Sequence, residues 1–241
     1  MGKQNEQGKK TKPSKKSHSI GLSILSALLL LIGLALVFNQ QIKDILMDRL
    51  VAEQKTEQYT ATVLKDNNEA PANFDLDTVV DVDMSEVLKA TMTQSDLPVI
   101  GFIAVPAVSL DLPIYKGVAN EQLLSGAGTL REDQKMGIGN YPLASHRMAN
   151  PTLLFTPLLN LKLGDKIYLT DLETIYTYKT TYIDTVEPDR IDLAYEEDVT
   201  TPVVTLFTCN VTGSKREVFR GELEETTAFD QADANIQAMF Q

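Results

Sequence analysis

Hydrophobic and polar positions divide the chain into three textures. From Ile20 to Phe38 the run "IGLSILSALLLLIGLALVF" carries no charge. As a helix it is long enough to cross roughly 30 Å of hydrocarbon, which predicts one N-terminal transmembrane helix over residues 20–38. From Asn39 to about Ser95 polar residues dominate. Within "NQQIKDILMDRLVAEQKTEQYTATVLK", Ile42, Ile45, Leu46, Arg49 and Leu50 recur at helical spacing and predict a juxtamembrane helix. "DNNEAPANFD" breaks it, and the acidic "DLDTVVDVDMSEVLK" is expected as a solvated linker or a capped helix.

From about Asp96 the pattern changes to short β-branched and aromatic runs punctuated by Gly, Pro, Asn and Asp. "VIGFIAVP", "VSLDLPIYKG", "DKIYLT", "TIYTYKTTYIDTVEP", "VVTLFTC" and "EVFRGEL" each have the length and composition of a strand. Many short strands at close spacing predict a mostly-β barrel or sandwich. Short helices are expected only at "NEQLLSGAG" and "NPTLLFTPLLNL". Gly126-Ala127-Gly128 and Gly137-Ile138-Gly139 are expected as turns, since neither continues into a phosphate-binding fingerprint. The expected organisation is a basic tail (1–19), a transmembrane helix (20–38), a juxtamembrane helix with an acidic linker (39–95) and a β domain (96–241).

Charge gives this layout a direction. The 241 residues carry a net charge of -11, which argues against a nucleic-acid partner. Lys3, Lys9, Lys10, Lys12, Lys15 and Lys16 crowd the N-terminus against Glu6 alone, so the positive-inside rule puts the tail in the cytoplasm and the acidic body outside. A cleaved signal peptide is the competing reading, with Gly33-Leu34-Ala35 as a weak cleavage site. The apolar run exceeds the usual signal core of about 7–15 residues and favours an uncleaved anchor.

The body holds one cysteine, Cys209, and one histidine, His146; the second histidine of the chain, His18, lies in the tail. Outside the cytoplasm cysteines usually pair, so a lone thiol is either a small apolar filler or a reactive group. One thiol with one imidazole is the minimum set for thiol activation. Uncoupled, with a thiol pKa near 8.5 and an imidazole pKa near 6.5, only about 1% of such a pair is in the thiolate–imidazolium form. A fixed cation raises that share. If "VVTLFTC" and "EVFRGEL" pair antiparallel through "NVTGSK", Arg216 falls beside Cys209, where its fixed donors could hold a carbonyl or an oxyanion. Spacing alone does not choose between Arg216 and Arg220.

Taken in order, "LPVIGFIAVP", "LPIYKG", "GAGTL", "GNYPLASHRM", "TLFTC" and "REVFRGEL" resemble the sortases over about Leu97 to Leu223, and most closely their class A, the housekeeping members. Neither the C-terminal span nor the Asp-Pro-aromatic lid motif typical of class C is visible.

The resemblance implies a closed β-barrel of about eight strands with short helices. It also implies a cysteine transpeptidase on the outer face of a Gram-positive cell membrane. In that reading Cys209 is the nucleophile, His146 the acid that protonates the leaving amine, and Arg216 the residue that positions substrate or stabilises the oxyanion. Ser145 and Thr208 fall on positions that line the substrate groove. The implied substrates are secreted surface proteins with an LPxTG-type signal, cleaved between Thr and Gly. The implied acceptor is an amine of lipid II or the peptidoglycan cross-bridge. A hydrolytic protease using the same thiol and a non-catalytic surface scaffold remain alternatives. No cofactor is required by the sequence. "DLAYEEDVTTP" is acidic, so calcium activation stays open, with no ligand geometry to support it.

Overall fold

A computed structural model describes residues 20–52, 56–79, 82–93, 97–196, 199–210 and 212–240. It divides into two compact units, Met1–Ile42 and Lys43–Gln241. The first contains α1 (Ile20–Val37), a helix apolar all round, with Leu22, Leu29, Leu31 and Leu36 exposed. No single described helix is long and apolar enough to cross a membrane. By length and composition, α1 together with α2 (Asn39–Ala52) passes that test only as a bent pair. The basic tail, with His18, lies outside the described residues.

In the second unit, eight strands close into a barrel. They are β1 (Val99–Val105), β2 (Leu110–Tyr115), β3 (Ala127–Thr129), β4 (Asn140–Ala144), β5 (Lys166–Thr170), β6 (Thr174–Val186), β7 (Val203–Cys209) and β8 (Arg216–Ala228). Their order around the barrel is β1-β2-β3-β4-β7-β8-β6-β5. The β2–β3 and β4–β7 pairs are parallel and the others antiparallel. Closure gives each of these strands a neighbour on both sides.

Period-two alternation separates two cores on the same strands. Leu143, Ile167, Leu169, Tyr178, Val204, Leu206 and Phe219 belong to the main core, to which every strand but the short β3 gives a large side chain. Phe207 and Val218, one residue out of step, join Val118, Leu123, Leu130, Val186 and Ala194 in a second cluster on the outer face of β7 and β8. Each fully buried side chain of this kind stabilises the fold by roughly 1.5–3 kcal/mol.

The segment expected as a juxtamembrane helix followed by a solvated linker or a capped helix packs on the barrel, and its acidic part is a capped helix. Among the described residues α2 covers Asn39–Ala52, and further along come a 3-10 turn at Thr56–Gln58 and a second helix, α3 (Ala61–Asn68), started by the Thr60 hydroxyl accepting the Val63 N–H. Asn67 Nδ2 donates to the Val99 carbonyl at 2.8 Å, fixing α3 to the start of β1. The acidic stretch becomes α4 (Met84–Thr93), capped by Asp83 Oδ1, which accepts the N–H groups of Ser85 and Glu86 and the Ser85 hydroxyl. Met47 and Leu50 of α2 and Val87 and Ala90 of α4 are buried in the main core. An apolar stripe on a short helix is enough for this, even in a polar sequence.

Two further expectations are corrected. Gly126-Ala127-Gly128 is not a turn: Ala127 to Thr129 form β3. A Cβ on Gly128 would sit 2.3 Å from the Gly117 carbonyl oxygen, so glycine here serves a close approach of two backbones. "NPTLLFTPLLNL" forms only a 3-10 helix at Thr156–Asn160, behind Leu154 in the left-handed region at φ 51°. By contrast "NEQLLSGAG" does contain a helix, α5 (Asn120–Ser125), and Gly137 and Gly139 occupy a turn with positive φ.

Candidate active site

Strand register assembles the candidate residues. Val203, Thr205, Phe207 and Cys209 share the outer face of β7, and Arg216, Val218 and Arg220 that of β8. Cys209 is paired with Arg216 across the antiparallel ladder, as the hairpin reading expects, while Arg220 stands opposite Thr205. On the other side of β7, Ala144 of β4 is level with Phe207 in a parallel ladder. That alignment continues past the last strand pair, because the Ser145 N–H donates to the Phe207 carbonyl at 3.2 Å and the Thr208 hydroxyl to the Ser145 carbonyl at 3.0 Å. The next residues in step are His146 and Cys209.

The β7–β8 hairpin holds its own shape. The Asn210 N–H donates to the Lys215 carbonyl at 3.1 Å, and Gly213, at φ 72°, donates to the Asn210 carbonyl at 3.1 Å. Arg216 Nη1 donates to the Gly213 and Lys215 carbonyls at 3.2 and 3.3 Å, which folds the guanidinium back over the hairpin. His146 follows the end of β4, where its carbonyl accepts the Phe155 N–H at 3.2 Å and the next turn is held by Met148 N–H to the Thr156 hydroxyl at 2.8 Å. Imidazole and thiol are both half-buried.

His146, Cys209 and Arg216 line one cleft of about 740 Å³. Leu123, Leu130 and Phe207 make part of its wall apolar. Another part comes from the β6–β7 connection, through Pro188, Asp189, Arg190, Ile191 and Tyr195, and a third from Phe74 and Leu76 ahead of α4. Ser145 and Thr208 border the cleft, but their side chains are turned into its wall: the Ser145 hydroxyl donates to the Gly126 carbonyl at 2.7 Å. On the connection, the Arg190 guanidinium beside Asp192 holds that carboxyl below its usual range.

Sequence reasoning missed the residues of the β6–β7 connection and of Phe74 and Leu76, which carry no chemical signature and join the site only through folding. Among the described residues, no group of three or more His, Cys, Asp or Glu side chains could hold a metal ion. Glu197 and Asp198 of the acidic stretch fall outside them.

What the arrangement offers is a thiol with an imidazole level with it on one side, a guanidinium level with it on the other, and a long, partly apolar cleft. That is equipment for nucleophilic attack on a carbonyl of an extended chain.

Comparison with known proteins agrees. Residues 103–224 match the family model described as the sortase domain. The chain is 40% identical to sortase A of Listeria monocytogenes over 204 residues, which is 84% of this chain and 91% of that protein. It is 35% identical to sortase A of Streptococcus agalactiae over 223 residues, 90% of each. The crystal structure of the Listeria monocytogenes sortase A superposes with a TM-score of 0.54, covering 59% of this chain and 96% of that one at 40% identity.

Proposed function

Because the chain belongs to the sortase family, as a class A member and a cysteine transpeptidase, we propose that it joins secreted surface proteins to the cell wall by cleaving an LPxTG-type signal between Thr and Gly. The observation that carries this reading is the convergence of Cys209, His146 and Arg216 on one cleft.

In the mechanism, the Cys209 thiolate adds to the threonine carbonyl. Arg216 donates to the oxyanion that forms. His146, as imidazolium, gives its proton to the departing glycine nitrogen, and the tetrahedral adduct collapses to a thioester on Cys209. An amine of lipid II or the peptidoglycan cross-bridge then adds to the thioester. His146 accepts the amine's proton, and the Cys209 thiolate leaves as the new amide forms. A thioester is activated towards amines, which favours transfer over hydrolysis. Ser145 and Thr208 form the floor of the groove, and their buried hydroxyl bonds support that role.

The proposed setting is the outer face of the membrane, with α1 as a single anchor and the N-terminus in the cytoplasm. Support comes from the lysines ahead of α1 and from its exposed apolar surface. Residues 96–241 are read as the catalytic domain, and 39–95 as the segment joining it to the anchor. Both the surface protein and a lipid-linked acceptor reach the enzyme at that face.

Product analysis tests the function. Incubating the full chain with an LPxTG peptide and a small primary amine is expected to give the amide of the Thr-terminated fragment. Free acid as the sole product, whatever the amine concentration, would assign hydrolysis instead.

A further inference from the structure

Arg220 was the rival of Arg216 in the sequence, and the fold gives it a different place. Four residues further along the same face of β8, it stands level with Thr205 rather than Cys209. Its guanidinium is largely buried, with 16% of the side chain exposed, and each of its three nitrogens has a partner. Nε donates to the Thr205 hydroxyl at 3.2 Å, Nη2 to the Leu193 carbonyl at 3.2 Å, and Nη1 to Glu196 Oε2 at 2.7 Å.

Arg220 is one member of a buried network. The Thr205 hydroxyl, fully buried, donates onward to Asn140 Oδ1 at 2.7 Å. Asn140, 1% exposed at the start of β4, donates through Nδ2 to the Leu193 carbonyl at 2.8 Å and to the Ala194 carbonyl at 3.4 Å. Three adjacent barrel strands thus each send one polar side chain to the same place. That place is the C-terminal end of the 3-10 turn Arg190–Ala194, whose last carbonyls have no partner within the turn. Leu193 O receives two donors, one from β4 and one from β8.

The turn held in this way is a wall of the cleft. Arg190 and Ile191 at its start and Tyr195 just beyond its end face the cavity shared with Cys209 and His146. A surface connection of this length would ordinarily be mobile. Here its end is fixed by Asn140 on β4, the strand that leads to His146, and by Arg220 on β8, the strand that carries Arg216, with Thr205 of β7 bonded to both. Arginine suits the task because its planar fork serves three acceptors at fixed angles. A buried network of this kind holds its partners rigidly only when every member is satisfied.

We infer that Arg220, acting with Asn140 and Thr205, is a positioning residue for transpeptidation: it holds the β6–β7 wall in the conformation that receives the peptide and takes no part in the chemistry at Cys209. The inference rests on the peptide-transfer reading above. Binding that depends on a preformed wall loses affinity when the wall must be ordered on each encounter, so the effect falls on KM.

The test compares the full-length wild type with Arg220→Gln and Arg220→Lys. With an LPxTG peptide and a saturating amine, R220Q is expected to raise KM about tenfold while kcat stays within about twofold. R220K, which keeps the charge and reaches fewer acceptors, should fall between. The rate of Cys209 alkylation by iodoacetamide should match wild type. Hydrogen exchange should accelerate over residues 187–196 and stay unchanged in β7 and β8. A KM within twofold of wild type, a fall in kcat at constant KM, or unchanged exchange over 187–196 would each overturn the inference. Should R220Q fail to fold, Thr205→Val, which deletes the shared hydroxyl, undergoes the same measurements with the same expectations. Absence of peptide turnover by wild type would count against the substrate reading alone, and the exchange comparison would still decide the role of Arg220.

Discussion

Cys209 takes its role from the side chains that strand register brings level with it. Arg216 is paired with it across β8, and its guanidinium is already folded over the hairpin by two carbonyls. Replacing Arg216 by lysine keeps the charge but loses the planar fork. The expected result is a drop in kcat of about 10²-fold with KM little changed, the signature of an interaction made in the transition state. A rise in KM at constant kcat would limit Arg216 to holding the peptide. The hairpin expectation put Arg216 beside Cys209, but spacing alone did not choose between Arg216 and Arg220; the β7–β8 register pairs Arg216 with the thiol. His146 was legible as the candidate partner from composition, as the one imidazole of the body, but its convergence with Cys209 on one cleft was not, since it depends on the parallel β4–β7 pairing, which no local pattern encodes. Arg220 shows the limit: its acceptors come from a distant connection and from β7, so its type and spacing could not distinguish it from Arg216.

At the scale of elements, six of the eight strands announced themselves by composition, and β3 and β4 did not. β3 is three residues long, with Gly126 before it and Gly128 at its centre, so it reads as a turn until the neighbouring backbone is in view. Gly128→Ala tests the reason: the new Cβ would collide with the Gly117 carbonyl oxygen just past β2, so the two backbones must separate. A loss of about 1–3 kcal/mol in denaturant unfolding is expected, the usual cost of overpacking, and an unchanged midpoint would mean the sheet absorbs the methyl freely. The helices ahead of the barrel were only partly legible. Charge hid the apolar stripe of α4, whose segment was expected as a solvated linker or a capped helix. Asp83→Ala removes three bonds to the first turn, and should cost about 1 kcal/mol by the same measurement.

For the whole molecule, the closed barrel supplies a rigid frame, and the acidic balance of the chain sets how stability responds to pH. Asp111 on β2 is the clearest case. It is exposed on that strand, beside a small hollow lined also by Val51, Leu112, Leu153 and Asp48, and partial desolvation there pushes its carboxyl up to about 6. An unfolded aspartate titrates near 3.9. Below that value the group is neutral in both states and costs nothing. As pH rises towards 6 the unfolded chain ionises first, so stability is lost through this window and stays lower above it. Asp111→Asn should therefore raise Tm at pH 8 and leave it unchanged at pH 4. A gain of equal size at both values would assign the effect to packing rather than charge.

In the proposed reaction an acyl group passes through one sulfur atom, and intact-mass spectrometry of the full chain with an LPxTG peptide measures that directly. The expected result is an adduct equal to the peptide truncated after threonine, mapped to Cys209, with release of the glycine-led fragment. The adduct should disappear when a primary amine is added and never form in Cys209→Ala. Peptide cleavage without any adduct, an adduct on another residue, or cleavage that survives in Cys209→Ala would contradict the account.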